Sequence, residues 1–175
     1  MNNRQERESA GEEHMKTLVL YATQYGYAAE CAAKLKAELS GDVTLVDLSK
    51  GTVPELGGFD AVIVGGSIYM GRVQAKVSEF CAAHEAELLQ KKLGLFLCCG
   101  LPQNLQESLA NSFPEAVRKH AKAVGCFGGE LRTARMKPMH KLIAGIMQKA
   151  GGKSGIEPPK ANPQAVLNFA AAMNA

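Results

Sequence analysis

From Lys16 onward the chain alternates short apolar runs with longer segments of helical periodicity. Lys16–Ala22 is almost continuously apolar, the pattern of a strand buried on both faces. Tyr27–Leu39 repeats Ala, Cys and Leu at helical spacing and stops near Gly41. Val43–Asp47 predicts a second strand, Gly51–Gly58 is turn-rich, and Asp60–Gly66 predicts a third strand ending in paired glycines. A helix is expected over Val73–Leu89 and a fourth strand over Leu93–Cys99. Gln103–Lys119 reads as a helix interrupted by Pro114, and Lys122–Gly128 as a fifth strand. Pro163–Met173 reads as a closing helix, with Asn162 as its N-cap and Pro163 in its first position.

Strands alternating with helices imply βαβ units and a parallel sheet covered on both faces. Right-handed crossovers reduce the arrangements of five strands to a few, and the doubly wound order 2-1-3-4-5 is the expectation. In such α/β sheets a ligand sits beyond the strands' carboxyl ends at the switch point, here between the first and third strands.

Composition narrows the class. With 175 residues and 46% hydrophobic content, a single core over residues 15–175 is expected. Residues 1–14 are polar and aperiodic and read as a flexible extension without a signal-peptide core. No apolar run reaches the roughly 20 residues needed to cross a bilayer. The five cysteines have no CxxC spacing, which disfavours a zinc ribbon or disulfide framework and fits a reducing cytoplasm. A net charge of +3 does not by itself call for nucleic acid, and none is expected as a partner.

Three loops leave the carboxyl edge beside the switch point. The first, Thr23, Gln24, Tyr25, Gly26, Tyr27 and Ala28, lies between a strand and a helix. Helix-terminal N–H groups and the helix dipole favour an anion there, and Gly26 permits close backbone approach. The loop has no Lys, and neither GxxxxGK[ST] nor GxGxxG occurs, so a nucleoside triphosphate and a dinucleotide are disfavoured. A single phosphate held by neutral donors remains, against a plain βα turn capped by Thr23. The second loop contains Ser67, Ile68, Tyr69, Met70 and Gly71, whose aromatic and apolar side chains suit the face of a flat ligand. The alternative is an apolar loop tucked under a helix. The third, Cys99, Gly100, Leu101, Pro102 and Gln103, is a tight turn that can border the other side of such a ligand. Cys98 and Cys99 read first as buried small hydrophobes rather than as redox groups.

One phosphate and one flat aromatic together describe FMN. With these residues in view, the chain from Met15 resembles the flavodoxin-fold family. It is most similar to flavodoxin-type quinone-dependent protoporphyrinogen dehydrogenases. Leu18–Gly26, Gly65–Phe80 and Gly128–Gly155 carry the likeness. The resemblance implies an FMN-dependent oxidoreductase with the three loops as its FMN site, a quinone or other redox partner, and no catalytic side chain that we can name. The family's phosphate loop usually reads T/S-x-T-G-x-T, whereas Tyr25 and Ala28 stand here at two hydroxyl positions. The cradle should therefore lean on backbone N–H groups, and Ala28→Thr is expected to tighten FMN binding. No Trp is present, which leaves Tyr69 as the expected stacking aromatic.

Small flavodoxins pass quickly from the fifth strand to the last helix, but this chain has a basic insertion at about 131–159. Met139, Leu142, Ile143, Ile146, Met147 and Ala150 form one apolar stripe, flanked by Arg132, Arg135, Lys137, Lys141 and Lys149. One expectation is a satellite helix packing its stripe on the domain. The other is a surface for an anionic substrate, a redox partner or the inner face of the membrane. Two further readings stay open: a flavodoxin-type electron carrier between protein partners, and a binding module without cofactor.

Overall fold

The first strand, β1 (Lys16–Ala22), forms where the apolar run is most continuous, and Leu18, Val19 and Leu20 have no exposed surface. The computed structural model describes residues 14–130, 133–154 and 159–175. Of the expected extension at 1–14, only His14 lies within them. After β1 come α1 (Tyr27–Glu38), β2 (Asp42–Asp47), β3 (Ala61–Tyr69), β4 (Arg72–Val73), α2 (Ala75–Ala83) and α3 (Glu85–Leu88). Then follow β5 (Lys92–Cys98), α4 (Leu105–Ser112), α5 (Glu115–His120), β6 (Ala123–Cys126), α6 (Pro138–Ser154) and α7 (Pro163–Asn174).

The parallel strands run in the order β2-β1-β3-β5-β6. This is the expected doubly wound 2-1-3-4-5 order, with β4 a short antiparallel addition to β3. Successive strand residues face opposite sides of the sheet. Leu18, Leu20, Val62, Val64, Leu93 and Leu95 meet Val77, Phe80, Leu88, Leu109 and Val117 on one side. Val19, Ile63 and Phe96 meet Leu35, Phe127, Phe169 and Met173 on the other. Asn162 caps α7 as expected, its Oδ1 accepting from the Ala165 N–H at 3.1 Å.

Three elements depart from the sequence reading. β3 runs past the paired glycines to Tyr69, so Ser67, Ile68 and Tyr69, expected in a loop, are strand residues. A Cβ on Gly65 would stand 2.3 Å from the Phe96 carbonyl oxygen and 2.4 Å from its ring. The glycine makes room for a neighbour in the sheet. The helix expected over Val73–Leu89 breaks at His84, whose ring stacks on Phe80 at 4.5 Å. The helix expected over Gln103–Lys119 starts with a single 3₁₀ turn at Pro102–Asn104 and divides into α4 and α5 around Pro114.

Candidate functional site

The carboxyl edge beside the β1/β3 switch point carries the first two loops, with the third at the end of β5. In the first, Gly26 takes φ 92° and begins α1. Thr23 Oγ1 accepts from the Gly26 N–H at 2.9 Å, and the Glu30 N–H to Gly26 carbonyl bond, 3.1 Å, opens the helix ladder. Thr23 thus closes the turn before α1, its bond going to the N-cap residue Gly26 rather than to a first-turn amide. The first-turn amides point out of the helix end, where the dipole favours negative charge.

Two members of this loop turn their side chains inward. Tyr27 is buried and its hydroxyl donates to the Phe127 carbonyl at 2.8 Å. Burial, more than its thiol neighbour Cys31, raises the phenol's pKa. Ala28 is fully buried among the residues under α1. The site can take main-chain groups from both, but neither side chain reaches it. A Thr at 28 would enter packed core, so the gain expected from Ala28→Thr lacks support in the packing.

The second loop is a hairpin. Ile68 pairs with Val73 and Tyr69 with Arg72 across Met70 and Gly71, at φ 50° and 78°. Two positive φ values make a primed turn, for which a Met in the first position is costly. Met70 is 85% exposed and Tyr69 is at the surface, while Ile68 packs against the core and Ser67 is half-buried. The tucked-loop alternative holds for Ile68 and fails for Met70.

In the third loop the buried Cys99 thiol donates to the Leu101 carbonyl at 3.3 Å. Leu101 is half-buried, and Pro102 and Gln103 are exposed. Gly100 is bare for a local reason: a Cβ there would lie 2.7 Å from Pro159 Cβ. The segment from Pro159 is tied down by the Gly129 N–H to Lys160 carbonyl bond and the Asn162 N–H to Phe127 carbonyl bond, 3.1 and 3.0 Å. Beside this loop, the Cys126 thiol donates to the Cys99 carbonyl at 3.6 Å. A hydrogen bond with the Cys99 thiol, opposed by burial and helped by main-chain contacts at Gly128 and Cys99, lowers the Cys126 pKa to about 6. That activation comes from hydrogen bonds rather than a nearby cation, so the charge pattern of the sequence does not reveal it.

His140 is the residue that the sequence reading left without a structural role. From α6 it hydrogen-bonds the Tyr25 hydroxyl through Nδ1 and stands 3.4 Å from Gln24 Nε2. Its ring lies 4.9 Å from that of Tyr69, tilted by 39°, and edge-on to Tyr25 at 6.0 Å. One side chain of the insertion thus joins the first two loops. Its only sequence signal is its place next to the apolar stripe, which is too weak to predict the contact.

A cavity of about 540 Å³ opens along the first loop. Thr23, Gln24 and Tyr25 line it together with Gln74 and Ala75 at the start of α2, and with Arg135 and Lys137. Lys141 and Lys149 are exposed on α6 and do not line this cavity, and Arg132 lies outside the described residues. Of the stripe, Met139, Leu142 and Ile146 are 68%, 66% and 59% exposed, and Ile143 is also exposed. The expectation that these four pack on the domain is therefore wrong. His140 and Ala144 face inward instead, and the apolar side of the described helix faces out. No described helix is long and apolar enough to cross a membrane.

The donor set fits a phosphate: a glycine-opened helix end, a roomy cavity and two cations. A family model for the flavodoxin domain matches residues 18–156. No curated protein matches the chain. Among solved structures, a short-chain flavodoxin associated with a bacterial microcompartment has TM-score 0.57 at 17% identity, over 91% of this chain and 96% of that one. A flavoprotein from Lactobacillus acidophilus in complex with FMN has TM-score 0.51 at 14% identity, over 63% and 91%. The Fusobacterium nucleatum flavodoxin bound to flavin mononucleotide has TM-score 0.50 at 17% identity, over 62% and 68%. At such identities these structures bear on the fold alone. Strand order, the helix end after β1 and the extent of the matched residues lead to one assignment: the chain belongs to the flavodoxin domain family.

Proposed function

We propose that this protein is an FMN-dependent oxidoreductase whose phosphate cradle is the Thr23–Ala28 loop. The observation that carries the reading is the helix end opened by Gly26 at the switch point, with a cavity beside it. Tyr69 and Met70 would lie against one side of the flavin, and the Cys99–Gln103 turn would border it on the other. When bound, FMN supplies the redox chemistry, and the protein's part is to hold, orient and tune it. Main-chain N–H groups of the first turn of α1 would bind the phosphate. The hydrogen bonds Thr23 to Gly26 and Cys99 to Leu101 hold two of the loops in shape.

Within that class, oxidation of protoporphyrinogen with a quinone acceptor is the reaction we favour. Support comes from the insertion: exposed Arg135, Lys137, Lys141 and Lys149 suit a substrate bearing carboxylates. The outward apolar side of α6, set among these cations, suits contact with an anionic membrane surface, where a lipophilic quinone would be met. Anaerobic assay of the FMN-loaded protein with protoporphyrinogen and menaquinone tests the reaction. FMN-dependent turnover is expected, and its absence under saturating FMN rejects this substrate pair. The second reading, an electron carrier between proteins, would show itself as salt-sensitive electron exchange with a reductase or ferredoxin-type partner and no small-molecule turnover.

A further inference from the structure

The first loop is short of side-chain donors for a phosphate. Its one Thr hydroxyl accepts from the Gly26 N–H and has a single O–H left to donate, and the Tyr25 hydroxyl is engaged by His140. Tyr27 and Ala28 turn into the core. A phosphate monoester carries between one and two negative charges at neutral pH, and N–H groups alone leave that charge unneutralised. Arg135 and Lys137 line the same cavity as Thr23, Gln24 and Tyr25, and among the described residues no carboxylate lines it. The described ion pairs are Lys50–Asp47, His84–Glu87 and Lys119–Glu115, so among the described residues neither cation is paired with an acid.

We infer that Arg135 and Lys137 are the counter-charges of the FMN phosphate, so that the insertion completes a cradle which the first loop leaves unfinished. The inference rests on the FMN reading above. It assigns the insertion a role in holding the cofactor, separate from any role in meeting substrate. Arginine suits the task, because its planar fork can give two charge-assisted hydrogen bonds to one phosphate, while lysine adds a point charge. Both reach the cavity from the segment leading into α6, and His140 on α6 fastens that helix to the first loop two residues before Gly26 and at Tyr25.

Riboflavin has the ring and ribityl chain of FMN but no phosphate, so it separates this inference from the reading beneath it. The full chain and an Arg135→Gln/Lys137→Gln variant are titrated with FMN and with riboflavin, following flavin fluorescence at low and high salt. The wild type is expected to prefer FMN, and that preference should shrink as salt rises. In the double variant FMN affinity should fall by about tenfold or more, since hydrogen bonds to charged groups are among the strong ones. Riboflavin affinity should stay unchanged, and an Arg135→Lys/Lys137→Arg variant should keep the preference for FMN. Equal FMN affinity in wild type and double variant overturns the inference while leaving the FMN reading intact. Equal loss of FMN and riboflavin binding overturns it as well, because the cations would then act on the fold or the ring. A wild-type protein that binds neither flavin overturns the FMN reading itself, and the inference falls with it.

Discussion

The Tyr25 hydroxyl and His140 Nδ1 are hydrogen-bonded across 115 positions of sequence, tying the inserted helix to the loop after the first strand. Along α6 the apolar residues Met139, Leu142, Ile143 and Ile146 are exposed, so the helix is not held by a buried stripe. His140 is a principal tether. His140→Ala should release α6 while leaving the sheet and its two cores intact. Trypsin should then cut faster at Lys141 and Lys149. Global stability should change by no more than about 0.5 kcal/mol, as for other substitutions away from the core. Unchanged cleavage rates would show that other contacts hold the helix.

Met70 occupies a left-handed conformation that its side chain does not favour, and it sits at the tip of the hairpin where the flavin face is proposed. Met70→Gly should relieve the backbone strain and stabilise the apo protein by about 1 kcal/mol in denaturant titration. If Met70 covers the ring, the same variant should bind flavin more weakly. Stabilisation without any change in flavin affinity would separate the turn's strain from ligand binding.

The Cys126 pKa is lowered to about 6, chiefly by its hydrogen bond with the Cys99 thiol. Iodoacetamide should therefore modify Cys126 ahead of the buried Cys31, Cys81, Cys98 and Cys99. Its alkylation rate should be nearly flat above pH 7 and fall as pH drops through about 6. Cys99→Ala removes the leading cause of the shift and should move that transition upward toward the ordinary thiol range. Peptide mapping after timed labelling reads both effects.

Periodicity made the architecture legible because it reports what each element buries. Lys16–Ala22 was fixed to the residue, since a strand covered on both faces is apolar throughout. The parallel order followed from chirality and alternation. What sequence could not show was where one surface meets another. The apolar stripe of the insertion was visible, yet nothing in its spacing says whether a domain, a membrane or a partner covers it. The hairpin at Met70 was hidden because its first turn residue is not one that usually adopts a positive φ. Gly100 stood out as a ligand-site glycine, but its bareness serves Pro159. The cavity that joins Thr23–Tyr25 to Arg135 and Lys137 brings together residues more than a hundred positions apart.

The central claim is that the loop at Gly26 holds FMN, and the absorption spectrum of the purified full-length protein after incubation with FMN and removal of free ligand tests it most directly. The account predicts flavin bands in the visible, near one flavin per chain, that disappear when the protein is denatured and filtered. A colourless protein that neither retains FMN nor quenches its fluorescence would contradict it and would favour a binding module without cofactor.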